Sequence, residues 1–260
     1  MQRFAGKAVI VTGAGSGIGA GTARRFLQEG AFVTLNGRRA HKLHETIAGL
    51  DAAQSLIHPG DVSDEVYVKQ LVADTVAKFG KLDVLVNNAG MAIFGPFEKT
   101  TTHDWRKVMT TDLDSIYFAC REALPHLLKT KGSIINLSSA SGVGGDWGMS
   151  SYNAAKGAVT NLTRALALEY GSRGVRVNAV APSLTSTDAT AGLEASTALM
   201  AAFHERLPIG RAATPDDIAG VIAFLASDDA VFVNGVILPV DGGLGASNGQ
   251  PNFLSILGQG

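Results

Sequence analysis

Tyr152 and Lys156 are the pair of side chains in this sequence with the clearest capacity for chemistry. They lie four residues apart among helix formers, a spacing that stacks two side chains on one face of a helix. A phenol is a weak acid at neutral pH, and an ammonium group beside it favours the ionised form. The pair is therefore suited to give a proton to a carbonyl oxygen or to take one from an alcohol. Taken alone, the spacing also fits two side chains on a solvated helix face.

A glycine-rich turn near the start of the chain is suited to a phosphate-containing ligand. Residues 7–12 have the apolar pattern of a buried parallel strand, residues 13–19 read Gly-Ala-Gly-Ser-Gly-Ile-Gly, and a helix is predicted over about 18–29. Glycines between a strand and a helix let the backbone approach a pyrophosphate at the helix N-terminus. The spacing here is GxxxGxG, which differs from the more usual GxGxxG.

Arginines stand where an acidic residue would indicate NAD. The second predicted strand covers residues 31–35, and Asn36-Gly37-Arg38-Arg39 follow it. A dinucleotide fold that prefers NAD usually has an Asp or Glu here for the ribose 2′-hydroxyl. Arg38, with or without Arg39, instead offers a planar set of donors for a 2′-phosphate. We therefore predict NADP, with NAD as the alternative. Both arginines also fit as solvated charges at a helix start.

Strands and helices alternate along the rest of the chain. Further strands are predicted at residues 55–58, 82–86, 133–137, 175–180 and 235–240, with helices at about 64–79, 102–128, 152–169 and 215–226 between them. This alternation predicts an α/β chain with about seven parallel strands and helices on both faces, a single doubly wound Rossmann domain over residues 1–260. Ligands bind such a sheet at the carboxyl ends of its strands, where the residues of interest fall.

Residues 184–210 interrupt this alternation. The segment contains a helical run near 194–206, and we predict it to be a substrate loop or lid, or otherwise a flexible surface loop. Its apolar residues and a few polar groups near Ser139 suit a small or medium ketone or hydroxyketone. Asp146 would either bind a second hydroxyl or cap a turn. The residues predicted to contact substrate are Ser139, Ser141, Trp147, Tyr152 and Leu184, with ordinary packing as the alternative for the loop residues.

Composition excludes several classes of function. The 260 residues carry a net charge of −1 and show no basic stripe, so neither a nucleic acid nor an anionic membrane is an expected partner. The single cysteine, Cys120, cannot form an internal disulfide and suits a reducing cytoplasm. No apolar run reaches about 18 residues, a strand begins too early to leave room for a signal peptide, and no cluster of side chains has metal-ligand spacing.

Taken together, these motifs resemble the short-chain dehydrogenase/reductase family over about residues 4–245. The matching stretches are residues 12–19, Asp61-Val62, residues 87–90, Ser139, Tyr152, Lys156 and residues 178–182. Within that family, residues 123–132, 144–148 and 241–251 are similar to the enzymes that interconvert meso-2,3-butanediol and acetoin. The end of the second predicted strand, with Arg38 and Arg39, departs from the acidic strand end that is expected of NAD-dependent diol enzymes.

The resemblance implies specific roles and partners. Tyr152 would be the general acid in ketone reduction and the base in alcohol oxidation, Lys156 would bind the nicotinamide ribose, and Ser139 would orient the substrate oxygen. A homotetramer is also implied. The implied cofactor contacts are Gly13, Ser16, Gly17, Ile18, Gly19, Arg38, Asp61, Val62, Asn88, Ala89, Gly90, Tyr152, Lys156, Pro182 and Thr187.

Two positions depart from the family pattern. Asp112 stands where the family usually has an Asn that holds a helix distortion and a water in the proton relay, and Asp112 is therefore included among the catalytic residues. An ionised Asp112 close to Lys156 would raise the pKa of the lysine. Ser183 follows Pro182 where the family often has Gly, and its side chain either crowds the nicotinamide side or points away.

The expected function is an NAD(P)(H)-dependent oxidoreductase that interconverts a secondary alcohol and a ketone. A 3-oxoacyl thioester reductase and a non-catalytic nucleotide-binding regulator are the alternatives. An epimerase or dehydratase of the extended branch would normally have a second, C-terminal substrate domain and a different glycine spacing, and this sequence has neither.

Overall fold

Strand β1 (Ala8–Val11) lies near the middle of a parallel sheet and is buried on both faces. A computed structural model describes residues 2–258. The other strands are β2 (Phe32–Gly37), β3 (Ser55–Pro59), β4 (Val84–Asn87), β5 (Ser133–Leu137), β6 (Arg176–Pro182) and β7 (Ile237–Val240). Their order is β3-β2-β1-β4-β5-β6-β7, and every neighbouring pair is parallel. The predicted doubly wound α/β fold is confirmed.

Helices cover both faces of the sheet. They are α1 (Gly17–Gln28), α2 (Ala40–Thr46), α3 (Glu65–Phe79), α4 (Thr102–Met109), α5 (Ser115–Thr130), α6 (Ser150–Gly171), α7 (Ala191–Glu194), α8 (Thr197–Arg206), α9 (Pro215–Ala226) and α10 (Phe253–Ile256). Successive side chains of β1 point to opposite faces of the sheet and so contribute to two hydrophobic cores. Val9 and Val11 pack with residues of α1 and α9, whereas Ile10 packs with residues of α3 and α5.

Local sequence signals explain where several helices begin and end. Asp64 caps α3 by accepting from the backbone N–H groups of Val66 and Tyr67, and Gly80 ends the same helix with a φ of 78°. Thr214 and Asp217 form a capping box at the start of α9, with Pro215 in the first turn. Both helices were predicted within about a residue of these bounds.

The prediction of one continuous helix over residues 102–128 was wrong. The pattern over 102–128 indicates a single helix, but the structure has α4, a π-helical turn over Thr110–Asp114, and then α5. The wider turn inserts an extra residue between hydrogen-bonded partners, which the hydrophobic period does not reveal. Likewise, the helical run near 194–206 is two short helices, and β6 continues to Pro182.

Within residues 2–258, we find no helix that is both long and apolar enough to cross a membrane.

Candidate active site

The loops that follow β1 and β4 are fastened together at the carboxyl edge of the sheet. The Thr12 hydroxyl oxygen accepts the backbone N–H groups of Asn88 and Ala89, at 2.9 and 3.1 Å. The Asn88 amide donates in return to the Thr12 carbonyl at 2.8 Å. Gly13 has a φ of 67°, and a Cβ there would lie 2.8 Å from the Asn88 amide nitrogen. The chain therefore needs glycine at this point of the turn.

The glycine-rich turn leaves a cradle suited to a pyrophosphate. Ser16 precedes α1, and its side chain makes no capping hydrogen bond, so it leaves the first-turn N–H groups free of a side-chain cap. Thr187, on the loop after β6, lies so close to Gly17 that a Cβ there would be 2.8 Å from the threonine methyl carbon. Ile18 packs against the core beneath the turn. The residues present thus fit a dinucleotide.

The end of β2 presents Arg38 to solvent. The Asn36 side chain is buried and donates to the Tyr67 hydroxyl at 2.9 Å and to the Gly60 carbonyl at 3.2 Å, so it is turned into the protein. Arg38 is exposed and makes no hydrogen bond or ion pair with any residue that the structure describes. Burial raises the pKa of Tyr67 to about 12, so this network holds a neutral phenol.

At the end of β3, Asp61 and Val62 are placed differently from one another. The Asp61 carboxylate accepts from the backbone N–H and the hydroxyl of Ser63, at 3.0 and 2.8 Å, in a local turn. Val62 is buried in the core beside α3. Both residues lie at the carboxyl edge of the sheet.

Tyr152 and Lys156 share one face of α6. The Lys156 nitrogen lies 5.5 Å from the centre of the Tyr152 ring. Lys156 is only 3% exposed, and its ammonium donates to the Leu137 carbonyl at the end of β5, at 2.9 Å. The helix start thus brings the two residues to the same strand end that carries Ser139.

Asp112 lies in the π-helical turn and faces Lys156. Its Oδ1 accepts the backbone N–H of Met91 at 2.8 Å, and its Oδ2 lies 3.2 Å from the lysine nitrogen. Burial raises the pKa of Asp112, although Lys156 and the Met91 N–H oppose this shift. Burial acts to lower the pKa of Lys156, but the Asp112 carboxylate opposes it and the net shift is upward. The pair therefore favours a charged lysine at the base of the site.

Gly90 packs against this ion pair. A Cβ at Gly90 would lie 2.8 Å from the Asp112 Oδ2 atom and 3.3 Å from the Lys156 nitrogen. Glycine is thus required by the close approach of the loop after β4 to the two buried charges.

A chain of hydrogen bonds runs outward from Ser139. The Ser139 hydroxyl donates to the Ser141 hydroxyl at 3.2 Å and accepts the Ser141 backbone N–H at 3.2 Å. Ser141 in turn donates to a carboxylate oxygen of Asp146. The sequence left two roles open for Asp146, and a direct bond to Ser141 was not among them.

The remaining sequence-predicted residues differ in how they are held. Pro182 and Leu184 are buried around the end of β6, and the Leu184 carbonyl accepts the Ala213 N–H at 3.0 Å. Trp147 is 90% exposed, so no residue that the structure describes fixes its ring over the site. Its predicted contact with substrate stays a prediction.

Comparison with known proteins agrees with this geometry. Residues 13–245 match a short-chain alcohol dehydrogenase family model described as enoyl-(acyl carrier protein) reductase. The chain belongs to the short-chain dehydrogenase/reductase family. It is 48% identical over 253 residues to meso-2,3-butanediol dehydrogenase of Serratia marcescens, covering 97% of this chain and all of that protein.

Two further relatives extend the comparison. The NADP-dependent (R)-specific alcohol dehydrogenase of Lentilactobacillus kefiri is 38% identical over 250 residues, covering 93% of this chain and 98% of that protein. A crystal structure described as a short-chain alcohol dehydrogenase from Sinorhizobium meliloti has a TM-score of 0.89 and 32% identity, covering 94% and 98% of the two chains. This short-chain dehydrogenase/reductase is an oxidoreductase that interconverts a secondary alcohol and a ketone, and it binds NAD(H) or NADP(H).

The two departures from the pattern of short-chain dehydrogenase/reductases have structural explanations. Asp112 occupies the usual Asn position, and the π-helical turn forms around it, so the helix distortion does not require an amide side chain. The Ser183 hydroxyl donates to the Asp241 carbonyl at 3.0 Å, which ties the end of β6 to the end of β7. The Ser183 side chain is therefore engaged by the main chain at the end of β7.

Sequence reasoning missed the backbone partners in this site. The Met91 N–H that binds Asp112 and the Leu137 carbonyl that binds Lys156 are main-chain groups, which residues carry whatever their side chain, with only proline lacking the N–H. Asn153, next to Tyr152, was missed too, although it holds Asp146 by accepting its backbone N–H at 2.9 Å. An Asn within the first turn of a predicted helix was the available signal, since such residues often bond nearby backbone.

Lys156→Met tests whether Asp112 is ionised in its buried site. Removing one member of a buried ion pair costs about 3–5 kcal/mol of unfolding free energy when the other stays charged. Without the ammonium, burial holds the folded-state pKa of Asp112 still further above its unfolded value, so stability is lost as the pH rises from about 4 through that pKa. We expect chemical denaturation to show a deficit against wild type that is larger at pH 8 than at pH 5.

The double variant Asp112→Asn/Lys156→Met is the control for this experiment. It has no carboxyl group at position 112, so its deficit against wild type should not grow between pH 5 and pH 8. An equal deficit at pH 5 and pH 8 in Lys156→Met itself would contradict an ionised Asp112.

Proposed function

We propose that this protein is an NADP-preferring carbonyl reductase and alcohol dehydrogenase in which Tyr152 transfers the proton. The observation that carries the proposal is the buried Lys156 ammonium beside the Tyr152 ring, held by Asp112 at 3.2 Å. A cation fixed in a site of low polarity stabilises a developing phenolate more strongly than it would in water.

The proposed chemistry assigns one task to each side chain. The bound nicotinamide would supply a hydride to the ketone carbon, or accept one from the alcohol carbon. Ser139 turns its hydroxyl hydrogen from Ser141 to the substrate oxygen and so orients the substrate. Tyr152 gives its phenolic proton to that oxygen during reduction. Lys156 stabilises the phenolate that remains. In oxidation, the Tyr152 phenolate takes the proton of the alcohol.

The cofactor would be held along the carboxyl edge of the sheet. The turn before α1 suits the pyrophosphate, and Lys156 suits the nicotinamide ribose. The proposed set is Gly13, Ser16, Gly17, Ile18, Gly19, Arg38, Asp61, Val62, Asn88, Ala89, Gly90, Tyr152, Lys156, Pro182 and Thr187. Arg38 carries the preference for NADP, because it is exposed and unpaired among the described residues, while Asn36 is turned inward.

A small hydroxyketone or vicinal diol is the proposed substrate class. The Serratia relative, named for meso-2,3-butanediol, supports this class. Reduction of a 3-oxoacyl thioester is the weaker alternative, and a non-catalytic regulator would not turn over any ketone. A panel of acetoin, diacetyl, aryl ketones and 3-oxoacyl thioesters, each with NADPH and NADH, separates these possibilities.

We further propose one Rossmann domain with a lid at about residues 184–210, assembled as a homotetramer in the cytoplasm. Helices α7 and α8 of this segment contain no buried residue, as expected of a lid. Tyr117 on α5 and Leu168 on α6 are 50% and 84% exposed, and subunit contacts would cover them. Cys120, buried as a free thiol, suits a reducing compartment.

Tyr152→Phe tests the proposed function by removing the phenolic hydroxyl while keeping the ring. We expect kcat to fall about 10²–10⁴-fold, the usual contribution of a positioned acid or base, with the dissociation constant of NADPH nearly unchanged. Tyr170→Phe on the same helix is the matched control and should keep wild-type kcat. Substantial turnover by Tyr152→Phe, or none by wild type on any ketone of the panel, would contradict the proposal.

Arg38→Asp tests the predicted cofactor preference. A guanidinium that binds the 2′-phosphate is replaced by a carboxylate that repels it, so kcat/KM with NADPH should fall roughly 100-fold. The value with NADH should change by less than about threefold, because NADH lacks that phosphate. Arg173→Asp, just past the C-terminal end of α6, controls for the change in net charge. An equal loss with both cofactors would show that Arg38 does not select NADP.

A further inference from the structure

We propose that Asp146 is a specificity-determining residue that binds the second hydroxyl of a hydroxyketone or vicinal diol. The inference rests on the proposed function and assigns the substrate class to one carboxylate. Three observations carry it: the placement of Asp146 at the catalytic serine, the direction of the hydrogen bonds between them, and a carboxylate oxygen left without a partner.

Asp146 is held by its backbone next to the start of α6. Its backbone N–H donates to the Asn153 side-chain oxygen at 2.9 Å, and Asn153 is the neighbour of Tyr152 on α6. The Asn153 amide in turn donates to the Met149 carbonyl at 2.7 Å, which fixes the turn that leads into the helix. The backbone of Asp146 is therefore tied to the helix that carries the proton donor.

The direction of each hydrogen bond between Asp146 and Ser139 follows from the carboxylate. An ionised carboxylate accepts and cannot donate, so Ser141 must be the donor to Asp146. The single hydrogen of the Ser141 hydroxyl is then used, and Ser141 accepts from Ser139 at 3.2 Å. Asp146 is thus two hydrogen bonds away from the hydroxyl that is proposed to orient the substrate oxygen.

One oxygen of Asp146 remains available to a ligand. Ser141 bonds its Oδ2, and within the described part of the chain no donor or cation contacts its Oδ1. Asp146 is exposed, so an incoming molecule reaches this atom. A hydroxyl on the carbon next to the reacting carbonyl would donate to it in a charge-assisted hydrogen bond, whereas a substrate carboxylate would be repelled.

The test compares three ketones that differ by one group: acetoin, butan-2-one, which lacks the hydroxyl, and acetoacetate, which carries a carboxylate. Steady-state kinetics with NADPH are measured for wild type, Asp146→Ala, Asp146→Asn and the control Asp229→Asn. Asp229 is an exposed acid that pairs with Arg3 at the opposite edge of the sheet. Thermal unfolding and NADPH binding establish that each variant is folded.

We expect Asp146→Ala to lower kcat/KM for acetoin at least tenfold, mainly by raising KM. The same variant should change kcat/KM for butan-2-one by less than threefold. Asp146→Asn, which can still accept a hydrogen bond, should lie between Ala and wild type. The kcat/KM for acetoacetate should rise threefold or more in both Asp146 variants. The control Asp229→Asn should have wild-type values of kcat/KM for all three ketones.

Two results would overturn the inference while leaving the proposed function intact. The first is an equal loss for acetoin and butan-2-one in Asp146→Ala, which would mean that Asp146 only supports Ser139. The second is a wild-type enzyme that reduces butan-2-one as efficiently as acetoin. Absence of turnover of every ketone by wild type would instead overturn the proposed function, and the inference with it.

Discussion

The buried ion pair between Asp112 and Lys156 is the interaction on which the catalytic centre depends. Asp112 is fully buried and Lys156 is 3% exposed, so each charge has exchanged water for protein partners. Desolvating two charges is costly and is offset only when their remaining hydrogen-bonding positions are used. The Met91 N–H and the Leu137 carbonyl each fill one of these positions. The pair therefore joins α6 to the π-helical turn, to the loop after β4 and to the end of β5.

The parallel sheet makes that convergence possible. Parallel strands end at one edge, so the loops after β1, β4, β5 and β6 meet there although they are far apart in the chain. Side chains then lock the loops to each other, as Thr12 does with Asn88 and as Thr187 does by packing on Gly17. The topology of the sheet thus makes the glycine-rich turn and the proton-transfer group neighbours. Asp146, which Ser141 joins to Ser139, lies farther out, where its carboxylate is exposed.

Sequence periodicity predicted the sheet and the shared face of Tyr152 and Lys156, since both depend on local patterns of two or about four residues. It did not predict the π-helical turn around Asp112, because one extra residue in a turn leaves the apolar spacing of α4 and α5 readable as one helix. The bond between Ser141 and Asp146 was also missed, as it depends on how a loop folds back. Trp147, a conspicuous residue in the sequence, is almost fully solvent-exposed.

The kcat of Asp112 variants tests most directly the claim that this carboxylate holds a charged Lys156 in place. The measurement uses NADPH and the best ketone of the panel. Asp112→Asn retains an acceptor for the Met91 N–H and should have a kcat within about tenfold of wild type. Asp112→Ala leaves the buried ammonium with the Leu137 carbonyl but without its carboxylate partner, and should lose about 100-fold or more. A kcat of Asp112→Ala equal to wild type, or an Asp112→Asn enzyme that is orders of magnitude faster, would contradict this account.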